Sequence, residues 1–241
     1  DSSAPRTDIA ELQKQAMADP AIKATLDDRT RAMKSRLRDD GRLVELILKA
    51  AGAKPGSHVL DVGSGGGYLA LLFSKLVGET GHVDIHNTPG WINQFPSMDP
   101  EVQKARIRQP NIGWVTTSWT NLTAEPSSYD IIVMGQVYHD VFLEGESNDA
   151  MNAHLFAMLK PGGRVVIEDH DAIETMHLAQ QVGLHRISHG DVTGQLRRAG
   201  FELREMILIE SQYDDRRFNV FRPGVRGRTD RFIAVFVKPG N

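Results

Sequence analysis

Apolar and polar residues are arranged in two patterns that alternate along this chain, one typical of buried strands and one typical of helices. Short apolar runs suited to buried strands occupy residues 58–62, 82–86, 112–117, 129–134, 164–168, 201–209 and 232–237. Helical spacing occupies residues 68–77, 100–109, 149–159 and 191–199. This alternation predicts a parallel sheet with helices on both faces. The last two strands have no helix between them, so we predict an antiparallel strand at one edge.

The first 50 residues carry helical patterns without strands. A partly buried helical face is predicted for Leu12, Ala16, Ile22, Leu26, Met33 and Leu37. A further helix is predicted at 43–48, and Gly52 and the Lys54-Pro55-Gly56 turn end it. We therefore predict an N-terminal helical extension over residues 1–52 and an α/β domain over residues 53–241.

Composition limits the function classes. The chain has 241 residues, of which 40% are hydrophobic and 24% charged, as expected for a single globular core. The net charge of −3 gives no overall basic excess, so no nucleic-acid partner is expected. No apolar stretch is long enough for a membrane helix, so no membrane partner is expected either. The absence of cysteine excludes disulfides, thiolate zinc sites and cysteine nucleophiles.

The sequence begins at Asp1 without a methionine, so we expect that a secretory signal or a tag has been removed. The expected protein is soluble, and either cytoplasmic or exported. Its N-terminal helices could cover the site or carry a homodimer contact.

A glycine-rich loop, Asp61-Val62-Gly63-Ser64-Gly65-Gly66-Gly67-Tyr68, follows the first strand and opens a helix. Glycines allow a sharp turn and let a ligand approach the main chain closely. A dinucleotide fingerprint would place a small residue where Tyr68 stands. The acid Asp61, two residues before the first glycine, suits a ligand with an amino group. A glycine-rich turn without a ligand is the plainer alternative.

The loop resembles the first motif of class I S-adenosylmethionine-dependent methyltransferases. Residues 159–164 and 196–201 resemble the turns before the fifth and sixth strands of that family. A narrower resemblance, over roughly residues 29–238, is to a little-characterised group of predicted methyltransferases. It rests on Tyr138-His139-Asp140, Met151-Asn152, Glu168-Asp169-His170, Leu184-His185-Arg186-Ile187, Asp214-Asp215-Arg216 and residues 226–232.

The resemblance implies a doubly wound, mostly parallel, seven-stranded sheet of Rossmann type and S-adenosylmethionine as cofactor. It implies cofactor contacts from Asp61, Gly63, Ser64, Gly65, Gly67 and Tyr68. In the family pattern, acids after the second and third strands bind the ribose hydroxyls and the adenine amino group. Those places fall on Asn87 and Ser118, whose neutral side chains would each weaken binding by about 1 kcal/mol.

Polar side chains follow two neighbouring strands of the predicted sheet. Tyr138, His139 and Asp140 come just after the fourth strand, and His170 ends the fifth. Carboxyl ends of parallel strands meet at one edge, where such sheets bind ligands. A histidine can accept and return a proton near neutral pH. We therefore take these four residues and His185 as catalytic candidates, with loop capping as the alternative.

A metal site is not predicted. Histidine, aspartate and glutamate are all present, but no short ligand spacing such as His-x-x-x-His on a helix is found. His185 and His189 are four residues apart, but Gly190 and the preceding polar turn argue against a continuous helix.

Two further features carry alternatives. Trp91, Trp119 and Phe142 could wall an aromatic substrate or belong to the core. The arginine-rich segment 216–231 could be a salt-bridged loop, the favoured interpretation, or a lid over an acidic substrate.

The sequence thus predicts S-adenosylmethionine-dependent methyl transfer to a small molecule that is aromatic or hydroxylated, with His139 or His170 as general base. The alternative is a lyase, hydrolase or isomerase that keeps the fold, needs no methyl donor and uses the His/Asp/Tyr cluster for acid–base chemistry. A non-catalytic ligand-binding protein is a third, less favoured hypothesis.

Overall fold

Seven strands form a single sheet. The computed structural model describes residues 8–240, so the first seven residues of the predicted extension and Asn241 lie outside the described part. The strands are β1 (His58–Asp61), β2 (His82–Asn87), β3 (Ile112–Thr116), β4 (Tyr129–Gly135), β5 (Leu159–His170), β6 (Glu202–Ile209) and β7 (Arg231–Val237). Their order is β3-β2-β1-β4-β5-β7-β6, and β1 to β5 pair in parallel. The predicted mostly parallel, doubly wound sheet is confirmed.

The last two strands pair antiparallel at one edge of the sheet, as predicted, but the strand that runs against the others lies one place inside that edge. Strand β7 pairs antiparallel with both β5 and β6 and therefore lies one place inside the sheet. The reason is hydrophobic: Phe232 to Phe236 are almost fully buried, whereas β6 exposes Glu202 and Arg204. The more apolar strand gains more from two neighbours than from a solvated edge.

Within the described residues, twelve α-helices surround the sheet. They are α1 (Ile9–Met17), α2 (Pro20–Asp27), α3 (Met33–Arg36), α4 (Asp39–Arg42), α5 (Val44–Ala51), α6 (Tyr68–Val77), α7 (Pro89–Gln94), α8 (Pro100–Arg106), α9 (Tyr138–Leu143), α10 (Asn148–Met158), α11 (Leu178–Gly183) and α12 (His189–Arg198). Short 3-10 turns occupy Pro96–Met98 and Trp119–Asn121. The helices α7, α9 and α11 were not predicted; each has six residues and comes after the carboxyl end of a strand.

Apolar side chains pack in two layers, one on each face of the sheet. The first layer contains the buried side chains of α5 and α6, together with Ala16 and Ile22 from the N-terminal helices. The second contains residues of α10 and α12. The N-terminal helices therefore share a core with the sheet, and a division at residue 52 stays a prediction.

Part of the predicted N-terminal apolar face is wrong. Met33 is 68% exposed and Leu37 is 77% exposed. Helix α3 has only four residues and lies beside a cavity at the sheet edge rather than on a sheet face. Within residues 8–240, the helices are too short or too polar to cross a lipid bilayer.

Candidate active site

The glycine loop joins β1 to α6 and leaves open space over two of its residues. Gly63, Gly65 and Gly67 have φ of 65°, 60° and 82°, the left-handed region that favours glycine. A Cβ added to Gly66 would meet nothing within 4 Å. At Gly65 its nearest neighbour would be the Met98 methyl, at 3.7 Å. A ligand could therefore approach the Cα atoms of Gly65 and Gly66 closely.

Two other glycines of the loop serve packing. A Cβ on Gly63 would lie 2.9 Å from the Trp119 ring, and a Cβ on Gly67 would lie 2.9 Å from the Ile107 side chain. Both distances are too short for carbon atoms, so these two positions need glycine for the fold itself.

Asp61 lies beneath the loop and is 2% exposed. Its carboxylate accepts hydrogen bonds from the Ser64 hydroxyl and the Ala70 N–H. Burial raises the pKa of Asp61 to about 7, although these two hydrogen bonds act in the opposite direction. A cation bound near this carboxylate would therefore be favoured.

The two side chains predicted to contact ribose and adenine have partners within the protein. Asn87 accepts from the Gly65 N–H at 2.8 Å and donates to the Gly65 carbonyl at 3.1 Å. Gln103 donates to the same carbonyl at 2.6 Å. The Ser118 hydroxyl accepts from Asn121 at 2.9 Å. These contacts hold the loop and its surroundings in place.

His86 supports the loop from behind and was not singled out in the sequence. It is fully buried, accepts from the Gly63 N–H at 3.3 Å and lies 3.0 Å from the Thr117 carbonyl. Burial lowers the pKa of His86 to about 4, so the ring is neutral. A neutral ring can accept on one nitrogen and donate on the other. Its strand position gave no signal of this role.

The predicted cluster at the ends of β4 and β5 is present. His139 Nδ1 lies 2.8 Å from Asp169 Oδ1, and both side chains are almost completely buried. On the other side of the ring, His139 Nε2 lies 3.2 Å from Asp140 Oδ1 and 3.3 Å from His185 Nδ1. Burial alone would lower the pKa of His139, but the Asp169 and Asp140 carboxylates raise it to about 10. Burial and the nearby His139 lower the pKa of His185.

His185 reaches this cluster from a distant loop. The loop lies beside the end of β5, because the Ile187 N–H donates to the His170 carbonyl at 3.0 Å. Arg186 anchors the loop through two hydrogen bonds to Asp214, at 2.8 and 2.7 Å, between fully buried side chains. His185 itself has a φ of 55°, which is uncommon for a residue with a side chain. His189, by contrast, contacts Asp171 and not His185.

His170 is also buried, and its Nδ1 is 2.7 Å from the Thr229 hydroxyl. Burial lowers the pKa of His170 well below its usual value, and the nearby charges of His139 and Arg231 add to this effect. His170 is therefore neutral in this environment.

Tyr138 does not face the site, which corrects its assignment as a catalytic candidate. The residue is fully buried, donates to Gln195 at 2.8 Å and accepts from Asn152 at 2.7 Å. It stabilises the packing of α9 against α10 and α12. Tyr68 is also mostly buried and donates to Asp39 at 2.7 Å.

Two adjoining cavities open at this edge of the sheet. The histidine cavity, of about 450 Å³, is lined by Trp91, Gln94, Phe95, Gln136, His139, Asp140, Leu143, Glu144, His170, His185, Val220 and Phe221. The basic cavity, of about 600 Å³, is lined by Lys34, Leu37, Arg38, Gly41, Arg42, Gln136, His170, Val220, Phe221, Arg226, Gly227, Thr229 and Arg231. Gln136, His170, Val220 and Phe221 belong to both.

Charges in the basic cavity are unbalanced. Five cationic side chains line it, and one buried carboxylate, Glu168, pairs with two of them, Arg42 at 2.7 Å and Arg231 at 3.1 Å. Arg38 lies with its guanidinium 4.4 Å from the centre of the Tyr68 ring. The remaining positive charge favours an anionic ligand.

The arginine-rich segment contains the ion pairs of the favoured interpretation, and the lid over an acidic substrate stays a prediction. Arg216 pairs with Asp230 at 2.6 Å, and Arg217 pairs with Asp215 at 2.6 Å, as in a salt-bridged loop. The same segment also supplies Arg226 to the wall of the basic cavity. Of the three aromatic candidates, Trp91 lines the histidine cavity, whereas Trp119 is fully buried in the core.

The sheet order, the glycine loop after β1 and the polar cluster after β4 and β5 define a nucleotide-type α/β fold with its site at the carboxyl edge. A family model described as a methyltransferase domain matches residues 33–206. The chain therefore belongs to this methyltransferase domain family, which confirms the general resemblance to class I methyltransferases; the narrower resemblance stays a prediction.

One curated relative and two solved structures illustrate what the chain is similar to. A ubiquinone/menaquinone biosynthesis C-methyltransferase of Vibrio vulnificus is 31% identical over 123 residues, which are 50% of this chain and 44% of that protein. The chain thus spans less than half the length of this curated relative. The crystal structure of an S-adenosylmethionine-dependent methyltransferase from Aquifex aeolicus matches with a TM-score of 0.58 and 18% identity. The match covers 96% of this chain and 100% of that one. The [4+2]-cyclase SpnF matches with a TM-score of 0.62 and 14% identity, over 98% of this chain and 99% of the cyclase. At these identities the two structures show the shared fold.

Proposed function

We propose that this protein transfers a methyl group from S-adenosylmethionine to a small molecule that is aromatic or hydroxylated and carries an anionic group. One observation carries the proposal. Arg38 and Arg42, which line the basic cavity, also lie over the ring of Tyr68, the first residue after the glycine loop. A ligand at the loop and a second ligand in the cavity would therefore be neighbours.

The residues of the loop fit the cofactor. The Cα atoms of Gly65 and Gly66 are open to close approach, and Asp61 provides a buried carboxylate for a cationic ligand. When bound, S-adenosylmethionine supplies a methyl group that is ready for transfer to a nucleophile. Because Asn87 and Ser118 already have partners in the protein, we assign cofactor recognition to the loop rather than to these two side chains.

The anionic group of the substrate is inferred from the basic cavity. Arg226 and Lys34 reach it from opposite segments of the chain, and no carboxylate within residues 8–240 is paired with either in a salt bridge. The apolar part of the substrate would contact Leu37, Val220 and Phe221. A carboxylate or a phosphate attached to an aromatic ring or an alkyl group has both the anionic and the apolar part that this cavity would bind.

His170 is the residue that we assign as general base. It lines both cavities, so a substrate that occupies either one lies next to its ring. Thr229, 2.7 Å from Nδ1, orients the ring. Positioning of the acceptor atom and removal of its proton are the two contributions that this chain would make to methyl transfer.

A second function, acid–base catalysis without a methyl donor, is favoured by specific contacts. Asn87 is bound to Gly65, and the Trp119 ring packs against Gly63, so two cofactor-side positions are engaged within the protein. The match to a [4+2]-cyclase supports the view that this fold does not require methyl transfer.

Calorimetric titration with S-adenosylmethionine and S-adenosylhomocysteine separates the two functions. Gly66→Val places a side chain in the open space over the loop, at a residue without a positive φ. The matched control is Gly183→Val, an exposed glycine that also has nothing within 4 Å. We expect the parent and the control to bind both compounds and Gly66→Val to bind neither. Absence of binding by the folded parent would overturn the proposal and favour the second function.

A further inference from the structure

Three metal-binding atoms converge at one point in the histidine cavity. They are His139 Nε2, Asp140 Oδ1 and His185 Nδ1, and all lie within 4.8 Å of one another. Two of them come from the first turn of α9, and the third comes from the loop that Arg186 anchors. The sequence gave no short spacing for such a set, because His185 is 46 positions from His139.

The separations match the coordination sphere of a metal ion. His139 Nε2 is 3.2 Å from Asp140 Oδ1 and 3.3 Å from His185 Nδ1, and the third edge of the triangle is 3.8 Å. A tetrahedral ion with bonds of about 2.0–2.1 Å holds its ligand atoms about 3.3 Å apart. The three atoms therefore already lie near the corners of one face of such a tetrahedron.

The surroundings of His139 prepare it as a ligand. The carboxylate of Asp169 lies 2.8 Å from Nδ1 and also accepts the main-chain N–H groups of His139 and His170. A bound metal ion would replace the proton on Nε2, while the proton on Nδ1 stays shared with Asp169, and the Nε2 lone pair would then be directed toward the point between Asp140 and His185. Metal-bound histidines commonly have a carboxylate partner of this kind on the far nitrogen.

We propose that His139, Asp140 and His185 bind a divalent first-row transition metal ion, with Zn²⁺ as the first ion to test. Two imidazoles and a carboxylate suit zinc, and the same set suits iron(II) and manganese(II). Three protein ligands leave a fourth position for a water or a ligand atom from the histidine cavity, as in catalytic rather than structural sites. The proposal does not depend on methyl transfer.

The test is a titration of the chelator-treated protein with Zn²⁺, Mn²⁺ and anaerobic Fe²⁺ by calorimetry. We expect one ion per chain for at least one of the three metals. Cobalt(II) serves as a spectroscopic probe, because its visible absorption reports imidazole and carboxylate coordination and its geometry. Elemental analysis of the protein as purified complements the titration.

Two variants test the ligands and one tests the neighbouring carboxylate. Asp140→Asn keeps the shape of the side chain, and His185→Asn suits the positive φ at that position. Each should weaken binding by at least about 100-fold, and Asp169→Asn by about 10- to 100-fold. His189→Asn is the matched control, since His189 contacts Asp171 and Glu174 instead, and should bind as the parent does.

Circular dichroism shows which variants are folded, and the affinities are compared among those. The proposal is overturned by a stoichiometry well below one for all three metals. It is also overturned by equal affinity in the parent and in a folded Asp140→Asn or His185→Asn variant, because the bound ion would then lie elsewhere.

Discussion

Asn87 binds the main chain of Gly65 with both ends of its amide, accepting from the N–H at 2.8 Å and donating to the carbonyl at 3.1 Å. The pair joins the end of β2 to the middle of the glycine loop. An aspartate at this position, as in the family pattern, could accept the N–H but would place negative charge against the Gly65 carbonyl. The asparagine therefore selects a particular loop conformation.

The first prediction follows from this pair. Asn87→Asp should lower the free energy of unfolding by about 1–3 kcal/mol at pH 7, because a buried donor is replaced by a carboxylate. Urea denaturation measures the change. Asn121→Asp makes the same substitution at an exposed residue and should stay close to the parent. Equal stability of the two variants would show that the Asn87 contact contributes little.

The second prediction concerns pH and Asp61, whose pKa is raised by burial to about 7 from its ordinary value of 3.8. Between these two values the unfolded chain has lost the proton and the folded chain keeps it, so this group lowers stability as pH rises from about 4 to 7. Asp61→Asn removes this dependence. The stability of the variant relative to the parent should rise by up to about 1.4 kcal/mol for each pH unit in that window.

Urea denaturation of both proteins at pH 5.0 and at pH 7.0 tests this sign. Other titrating groups are common to the two proteins and cancel in the difference. A constant difference between parent and variant at the two pH values would contradict the raised pKa of Asp61.

The third prediction concerns the buried pair of Arg186 and Asp214. Arg186→Met should cost about 3–5 kcal/mol, because Asp214 would keep a buried charge without its partner. Adding Asp214→Asn should recover part of the loss. Arg217→Met removes an exposed arginine and should leave stability close to that of the parent. A double-mutant cycle in urea measures the coupling, and additive effects would refute it.

The fourth prediction tests His170 as general base. Once a substrate is found, His170→Asn should lower kcat by about 10²- to 10⁴-fold. The control is His177→Asn, at an exposed helix N-cap where asparagine is also favoured. Turnover of folded His170→Asn near the parental value would assign the proton acceptor to another residue of the two cavities.

The fifth prediction tests the anionic substrate. Arg226→Gln should raise KM by about tenfold or more with little change in kcat, because a charge-assisted hydrogen bond is lost equally before and during the reaction. Arg222, in the same segment, lies over the Phe218 ring and does not line the cavity, so Arg222→Gln is the matched control. The same KM in both variants would argue against a charged substrate in the basic cavity.

The sequence predicted those parts of the site that depend on strand ends. Apolar runs located β4 and β5, and the histidines that follow them, His139 and His170, line the histidine cavity together. It could not predict which side of α9 faces that cavity, because α9 was not recognised as a helix. Hence Tyr138 was grouped with its two neighbours, although its side chain points into the core.

Long-range contacts account for most of what was missed. His185 reaches the site because its neighbour Arg186 forms hydrogen bonds with Asp214, 28 residues later in the chain. Asn87 was matched to a ligand although its partner is Gly65, 22 residues earlier. Such pairings leave no periodic pattern, so neither propensity nor spacing indicates them.

The place of β7 has a consequence for biosynthesis. This strand is the last of the seven to leave the ribosome, yet it fills the gap between β5 and β6 and pairs with Glu168, Asp169 and His170. Until it emerges, the newly made chain has two unpaired strand edges beside its polar cluster, a state prone to aggregation. Any ribosomal stalling before residue 231 would therefore leave a chain that holds the glycine loop but lacks a finished site.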